Sequence, residues 1–316
     1  MNIIRLYNQN RKQLFILILI IAFIIGVIHF ANYIVKKDNL DNSNNKLSSS
    51  STGSATTTYN PKQSAISSET VSNSTFKKQS EVIDNFVKYC NEGNKEQAYD
   101  LLSKDCKEVL FPTLEYFIND YYKLIFNEPK IYSIQNWSGS TYKIRLLQDI
   151  LATGKSNNSI ATEDYYTLVN ENKEYKLNIN GFVSRTEVNR KKLKNGIEIS
   201  AQYMDKYMDK IVYVVNVKND TNNTILLDSG ETSQNMYIMD SNNVKYVAHT
   251  SEIPYGELIV LPNATNTIKI GYTSSNIKGR RFEYMVFKDI ILDYNTYSSY
   301  ILKGNYTDRV SIQIDL

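Results

Sequence analysis

Apolar and polar positions divide the chain into four stretches. From Leu14 to Val35, "LFILILIIAFIIGVIHFANYIV" is apolar almost throughout. At about 1.5 Å of rise per residue it is long enough to cross a hydrocarbon layer about 30 Å thick. It predicts one transmembrane helix over residues 14–35. Residues 36–77 follow, and Ser, Thr and Asn dominate Asn39 to Thr75, as in "SSSSTGSATTTYNPKQS". So few apolar side chains cannot offset chain entropy, and a disordered linker is expected there.

The third stretch, 78–190, begins with helical spacing. Val82, Phe86, Val87 and Cys90 fall on one face, which predicts a helix. "NEGN" interrupts it, with Gly93 suited to a left-handed terminal position. Asn94 is placed to cap a second helix, with Gln97 completing a capping-box-like pair and Tyr99, Leu101 and Leu102 supplying apolar groups. Leu114, Phe117, Ile118, Tyr121 and Ile125 give a third helix between Pro112 and Pro129. The period then changes to two. Tyr142, Ile144 and Leu146 share one strand face, and "YYTLVNENKEYKLNI" reads as a hairpin turning at Asn170 to Lys173, with Tyr175, Leu177 and Ile179 on one face. Helices followed by an antiparallel sheet is an α+β order.

"SRTEVNRKKLKNG", Ser184 to Gly196, holds five basic residues and reads as a solvated connector, or as a contact to anionic wall polymers or lipid headgroups. The fourth stretch, 196–316, alternates in short runs: "GIEISA", "KIVYVVNVKN", "TILL", "NMYIMD", "VKYVAH", "TIKIGYT", "RFEYMVFKDIIL" and "RVSIQIDL". Clusters such as "NDTNNT" and "DSNN" separate them. About eight strands in such a length indicate a β-sandwich.

Charge changes the picture only when it is split along the chain. Residues 1–80 hold nine Lys or Arg against Asp38, Asp41 and Glu69, while the remainder holds 27 basic and 30 acidic residues. The basic character belongs to the anchor region, so nucleic acid is not an expected partner. Arg5, Arg11 and Lys12 precede the apolar run without an acidic residue, whereas Lys36 and Lys37 beyond it meet Asp38. Residues 1–13 are therefore expected in the cytoplasm and everything after Lys37 outside, in a single-pass plasma-membrane topology. A cleaved signal peptide would put Ala31 at −1 but His29 at −3, and no Cys follows for lipid attachment.

A helix, "EGN", then "EQAYDLLS", a long aromatic helix and a run of strands resemble the nuclear-transport-factor-2-like superfamily. The resemblance implies a cone, a curved sheet wrapped around helices. Family enzymes often place a His-Asp pair inside it, but His29 and His249 both lie outside this stretch. The stretch "VVNVKNDTNNTILLD" is similar to immunoglobulin-like domains of bacterial membrane-anchored surface proteins, which implies architecture alone, since no Cys or Trp occurs after residue 195.

Chemistry adds little. Two Cys and two distant His form no metal cluster. "DILATGKS" has the end of a phosphate loop, yet Asp149 stands where its first glycine belongs. Glu163 and Asp164 read as solvated surface carboxylates. Trp137, the only tryptophan, could stack on a sugar or peptide, and with Tyr165 and Tyr166 it forms the set of candidate ligand or partner contacts. Cys90 and Cys106 read as either a disulfide staple or two packed, reduced thiols. No catalytic residue, metal or cofactor is expected.

The resulting expectation is a non-enzymatic extracytoplasmic binding or assembly protein. Its partners would be the membrane through residues 14–35, a protein or cell-wall component, and other copies in a homo-oligomer. An anchor followed by a cone also resembles bitopic assembly components of conjugation and type IV secretion channels, although those of Gram-positive elements have a second cone where this chain has a sandwich. A cone-domain hydrolase or isomerase is the least favoured reading.

Overall fold

A computed structural model describes residues 60–154, 161–231, 234–273, 280–300 and 302–316. The expected membrane helix, residues 1–13 before it and the expected linker as far as residue 59 lie outside the described residues. Among the described residues no helix is long and apolar enough to cross a membrane.

The described backbone begins inside the expected linker. Residues 60–71 fold back on themselves through a Gln63–Thr70 bridge and bond to a later strand, with Asn136 N donating to the Pro61 carbonyl and Ala65 N to that of Asn136. Helix α1, Asn73–Glu92, then starts at Ser72, whose hydroxyl accepts from Thr75 N. An N-terminal cap of this kind satisfies one of the open helix amides. It lets the helix begin at Asn73, nine residues before Val82, where the apolar spacing starts. Gly93 ends α1 at φ 76° with its N–H on the Cys90 carbonyl, as expected.

The next cap differs. Asn94 precedes α2, Lys95–Asp100, but makes no side-chain cap bond; its amide donates to Glu92 Oε2 at 3.1 Å. No capping box with Gln97 forms. A third short helix, α3, Lys104–Leu110, is capped by Ser103, and Cys106 lies within it. The long aromatic helix runs through α4, Leu114–Phe117, a π turn, Ile118–Tyr122, and α5, Lys123–Ile125.

Strands β1, Lys130–Ser138, β2, Thr141–Gln148, β3, Thr162–Glu171, and β4, Glu174–Asn178, form an antiparallel sheet in sequence order. A four-residue helix, α6, Ile150–Thr153, follows β2. The inward positions Tyr142, Ile144, Leu146, Leu177 and Ile179 pack with Phe86, Phe117 and Tyr121 from the helices into one core. The combination is α+β.

Ser184 to Gly196 is not a solvated connector. Strand β5, Phe182–Lys194, pairs along its length with β6, Ile197–Tyr207. Asn195 and Gly196, at φ 50° and 74°, make the two-residue turn between them, and positive φ at both positions is what such a hairpin requires. A side chain at residue 196 would also approach Thr221 Cγ2 to 2.9 Å. Charge along "NRKKLK" concealed the strand, because residues 189–194 are all exposed and an exposed edge strand needs no apolar alternation.

β5 and β6 join β7, Lys210–Asn219, and β12, Ala264–Thr273, in the order β12-β7-β6-β5. A second antiparallel sheet holds β8, Ile225–Leu226, β9, Met236–Asp240, β10, Lys245–Val247, β11, Ile259–Val260, β13, Phe282–Ile291, and β14, Arg309–Asp315. Inward residues of both sheets, among them Ile199, Val215, Ile270, Ile238, Phe287 and Ile312, share one apolar core. All eight apolar runs read from the sequence carry a strand. β5, β11 and a helix α7, Tyr294–Ser299, were not foreseen.

Candidate functional site

The two faces of β2 and β3 carry different chemistry. On the inner face Asp164 keeps phase with the buried residues Tyr166 and Leu168, and only 9% of it is exposed. This corrects its reading as a solvated carboxylate. Tyr121, brought in by the π turn, donates to Asp164 Oδ2 at 2.9 Å and shares a 2.8 Å bond with the Tyr166 hydroxyl. Backbone N–H groups of Tyr165 and Gly181 donate to Oδ1 at 2.6 and 3.0 Å, and that of Asn180 to Oδ2 at 3.1 Å. Asn180 and Gly181 have φ values of 57° and 67° and form the turn that launches β5. Asp164 therefore fastens that turn to the first core.

Burial pushes the Asp164 carboxyl up to about 6, with the four hydrogen bonds from Tyr121, Tyr165, Asn180 and Gly181 acting in the opposite direction. Burial also holds the Tyr121 and Tyr166 hydroxyls well above the ordinary tyrosine value. Desolvation disfavours the charged form in each case. Tyr166, expected as a ligand contact, is wholly buried and belongs to this internal cluster. The buried Asp164 was legible as an i, i+2, i+4 neighbour of Tyr166 and Leu168; the contribution of Tyr121 was masked by its place in an apolar helical stripe.

Cys90 and Cys106 are both free and buried, so the staple is not the arrangement found. Burial pushes the Cys106 thiol up to about 12 and raises that of Cys90 as well. Thiolate is the nucleophilic form, and neither site favours it.

The outer face brings two of the candidate contacts together. Trp137, at the irregular end of β1, meets Tyr165 of β3 edge to face, with ring centroids 5.3 Å apart at 71°. Lys143, on β2 opposite Tyr165, places its ammonium 6.0 Å from the Trp137 ring and 2.7 Å from Glu163 Oε2. Arg145 Nε is 3.2 Å from the other oxygen of Glu163. The hydrogen bond from Lys143 holds the Glu163 carboxyl below its usual value. Along the same face Ile131 and Leu147 are cross-strand partners, and both are exposed, as are Ile150 and Leu151 of α6. The face thus offers two aromatic rings, a cation, a paired carboxylate and an adjoining apolar strip. Flat rings beside hydrogen-bonding charges suit stacking against a sugar or peptide plane.

Remaining features are local. Asp149 caps α6 by accepting from Leu151 N and Ala152 N, while Lys155 and Ser156 of the phosphate-loop match lie outside the described residues. His249 follows β10, with Nδ1 3.8 Å from Glu252 Oε1. An open depression of about 380 Å³ at the start of α1 is lined by Ser72, Thr75, Gln79, Asn136 and Ser140 among others; neither Trp137 nor Tyr165 reaches it. Among the described residues no group of three His, Cys, Asp or Glu is placed to hold a metal ion.

No family model matches the chain, and no curated protein matches it. A crystal structure of a conserved hypothetical protein from Bacillus anthracis is similar over 40% of this chain and 96% of its own length, at 10% identity and a TM-score of 0.25. A likeness of that size carries no argument about fold or function.

Proposed function

We propose that this chain is a membrane-anchored extracytoplasmic binding or assembly protein without catalytic activity, and that the outer face of β1–β3 is its contact surface. The observation that carries the reading is the Trp137–Tyr165 pair, held on a sheet beside Lys143 and Glu163. Rigid aromatic anchors flanked by charge are the usual make-up of a recognition patch. The first half is read as a cone of the nuclear-transport-factor-2-like type and the second as an immunoglobulin-like sandwich. Helices packed on one face of the first sheet and two sheets around one core support those readings. Residues 14–35 with Arg5, Arg11 and Lys12 before them support the anchor and its orientation. A structural role for Asp164 is supported by donors from the fold itself on both of its oxygens.

A photo-crosslinking amino acid placed at Tyr165 in cells tests the contact surface. Adducts are expected from Tyr165 but not from exposed Lys78, and Trp137→Ala should abolish them. Equal adducts from both positions, or none from Tyr165, would reject the surface. Added protease should digest the folded part on intact cells lacking an outer barrier, and protection until the membrane is permeabilised would reject the topology.

A further inference from the structure

Strand β5 has an open side. It is the outermost strand of its sheet, and from Asn189 to Lys194 every residue is exposed. Arg190, Lys192 and Lys194 stand opposite Ala201, Ile199 and Ile197, so their side chains share the face of those core residues. Lys194 and Ile197 flank the two-residue turn, which makes them a hydrogen-bonded pair, and the pairing alternates from there. The backbone groups of Arg190, Lys192 and Lys194 are therefore used by β6, and those of Lys191 and Leu193 face outward. Lys191 is neutralised by Glu198 at 3.1 Å. Arg190 and Lys192 have no ion-pair partner among the described residues, and the Lys194 ammonium reaches only the Ser311 carbonyl, at 2.9 Å.

A row of cations repeats every second residue, about 6.8 Å apart, along a backbone edge with unused donors and acceptors. A ligand that satisfies both features must itself be a strand with an anionic group at alternate positions. A second copy of β5 meets the first condition but brings cations against cations, which disfavours edge-to-edge self-pairing. A membrane surface or a phosphate polymer meets the charge but not the ladder. We propose that the β5 edge over Arg190–Lys194 binds an extended acidic peptide as an added strand, with alternate Asp or Glu side chains along the cation row. This surface is separate from the outer face of β1–β3, and it survives or fails independently of that reading.

The test is fluorescence anisotropy with the full-length chain in non-ionic detergent micelles and a labelled Glu-Thr alternating peptide about ten residues long. Binding should weaken with salt. It should fall about 100-fold in Arg190→Glu/Lys192→Glu, roughly tenfold per reversed charge. Leu193→Pro removes an outward N–H that β6 does not use, so the thermal midpoint should hold while binding drops at least about tenfold. On the unmodified chain, the same peptide N-methylated at the amides of one edge should lose its affinity. Undiminished binding of the N-methylated peptide, full competition by phosphatidylglycerol vesicles or polyphosphate, or no binding of the parent peptide would each overturn the proposal.

Discussion

Asp164 is the residue at which burial and hydrogen bonding oppose each other most directly. Its carboxyl is raised in the fold to about 6 by burial, above the value of about 4 expected in the unfolded chain. Between those values the folded state binds more proton at Asp164 than the unfolded one, so the contribution of Asp164 is fully present below about pH 4 and is lost as pH rises through 6. Two pH units correspond to about 3 kcal/mol. Thermal melts from pH 4 to 7 should show a falling midpoint in the natural chain and a flatter profile in Asp164→Asn; an unchanged slope in the variant would remove Asp164 from the explanation. Tyr272 gives a simpler case. Its hydroxyl is the buried side-chain polar atom without a partner among the described residues, while its ring packs edge to face on Tyr213 at 6.0 Å. Tyr272→Phe keeps the ring and removes the desolvated group, and should raise stability by about 1–2 kcal/mol in denaturant titration.

Elements were legible wherever a pattern had a covered side to report. α1 was announced by Phe86, Val87 and Cys90, and β7 by Ile211, Tyr213, Val215 and Val217, because burial on one face imposes the period. β5 was not, since Arg190 to Lys194 answer to solvent; only Asn195-Gly196 signals the hairpin, and it closes the run Ser184 to Gly196 that reads as a connector. Trp137, Tyr165 and Tyr166 stand out in the sequence by aromatic character alone, and the fold pairs the first two. Adjacency across β2 could not be read from positions so far apart. Tyr166 was misplaced because one step along β3 changes the face. The backbone phase of β5 gives a prediction of its own. Proline at 193 removes an outward N–H, whereas proline at 192 removes one bonded to β6, so Lys192→Pro should cost about 3 kcal/mol or more and Leu193→Pro far less. Equal losses in chemical denaturation would mean that the ladder runs in the other phase. Gly93→Ala, at φ 76° with open space around the position, should cost about 1 kcal/mol through backbone strain alone.

Two apolar cores in one covalent run can unfold together only if a structural element links them. The β5–β6 hairpin belongs to both. Phe182 lies in the first core and packs on Tyr207 with ring centroids 5.5 Å apart, while Ile197 and Ile199 lie in the second. Between these ends Arg185 grips Asp205 with two bonds, Nε to Oδ1 at 2.7 Å and Nη2 to Oδ2 at 2.8 Å, and the guanidinium also covers the Tyr203 ring at 4.5 Å. Only 2% of the Asp205 side chain is exposed. Removing one partner of such a pair leaves a buried charge and costs about 3–5 kcal/mol, whereas replacing both by apolar groups of similar size is often near neutral. Because the pair lies on the hairpin between the residues that belong to the first core and those that belong to the second, its loss should weaken the link between the cores more than either core itself. Trp137 fluorescence reports on the first half alone, and amide exchange along β7 reports on the second. In the natural chain the two probes should give one denaturation midpoint. Asp205→Ala should lower both and separate them, and Arg185→Met/Asp205→Leu should bring them back together. Coincident midpoints in Asp205→Ala would instead assign the coupling to the continuous backbone of β5 and β6.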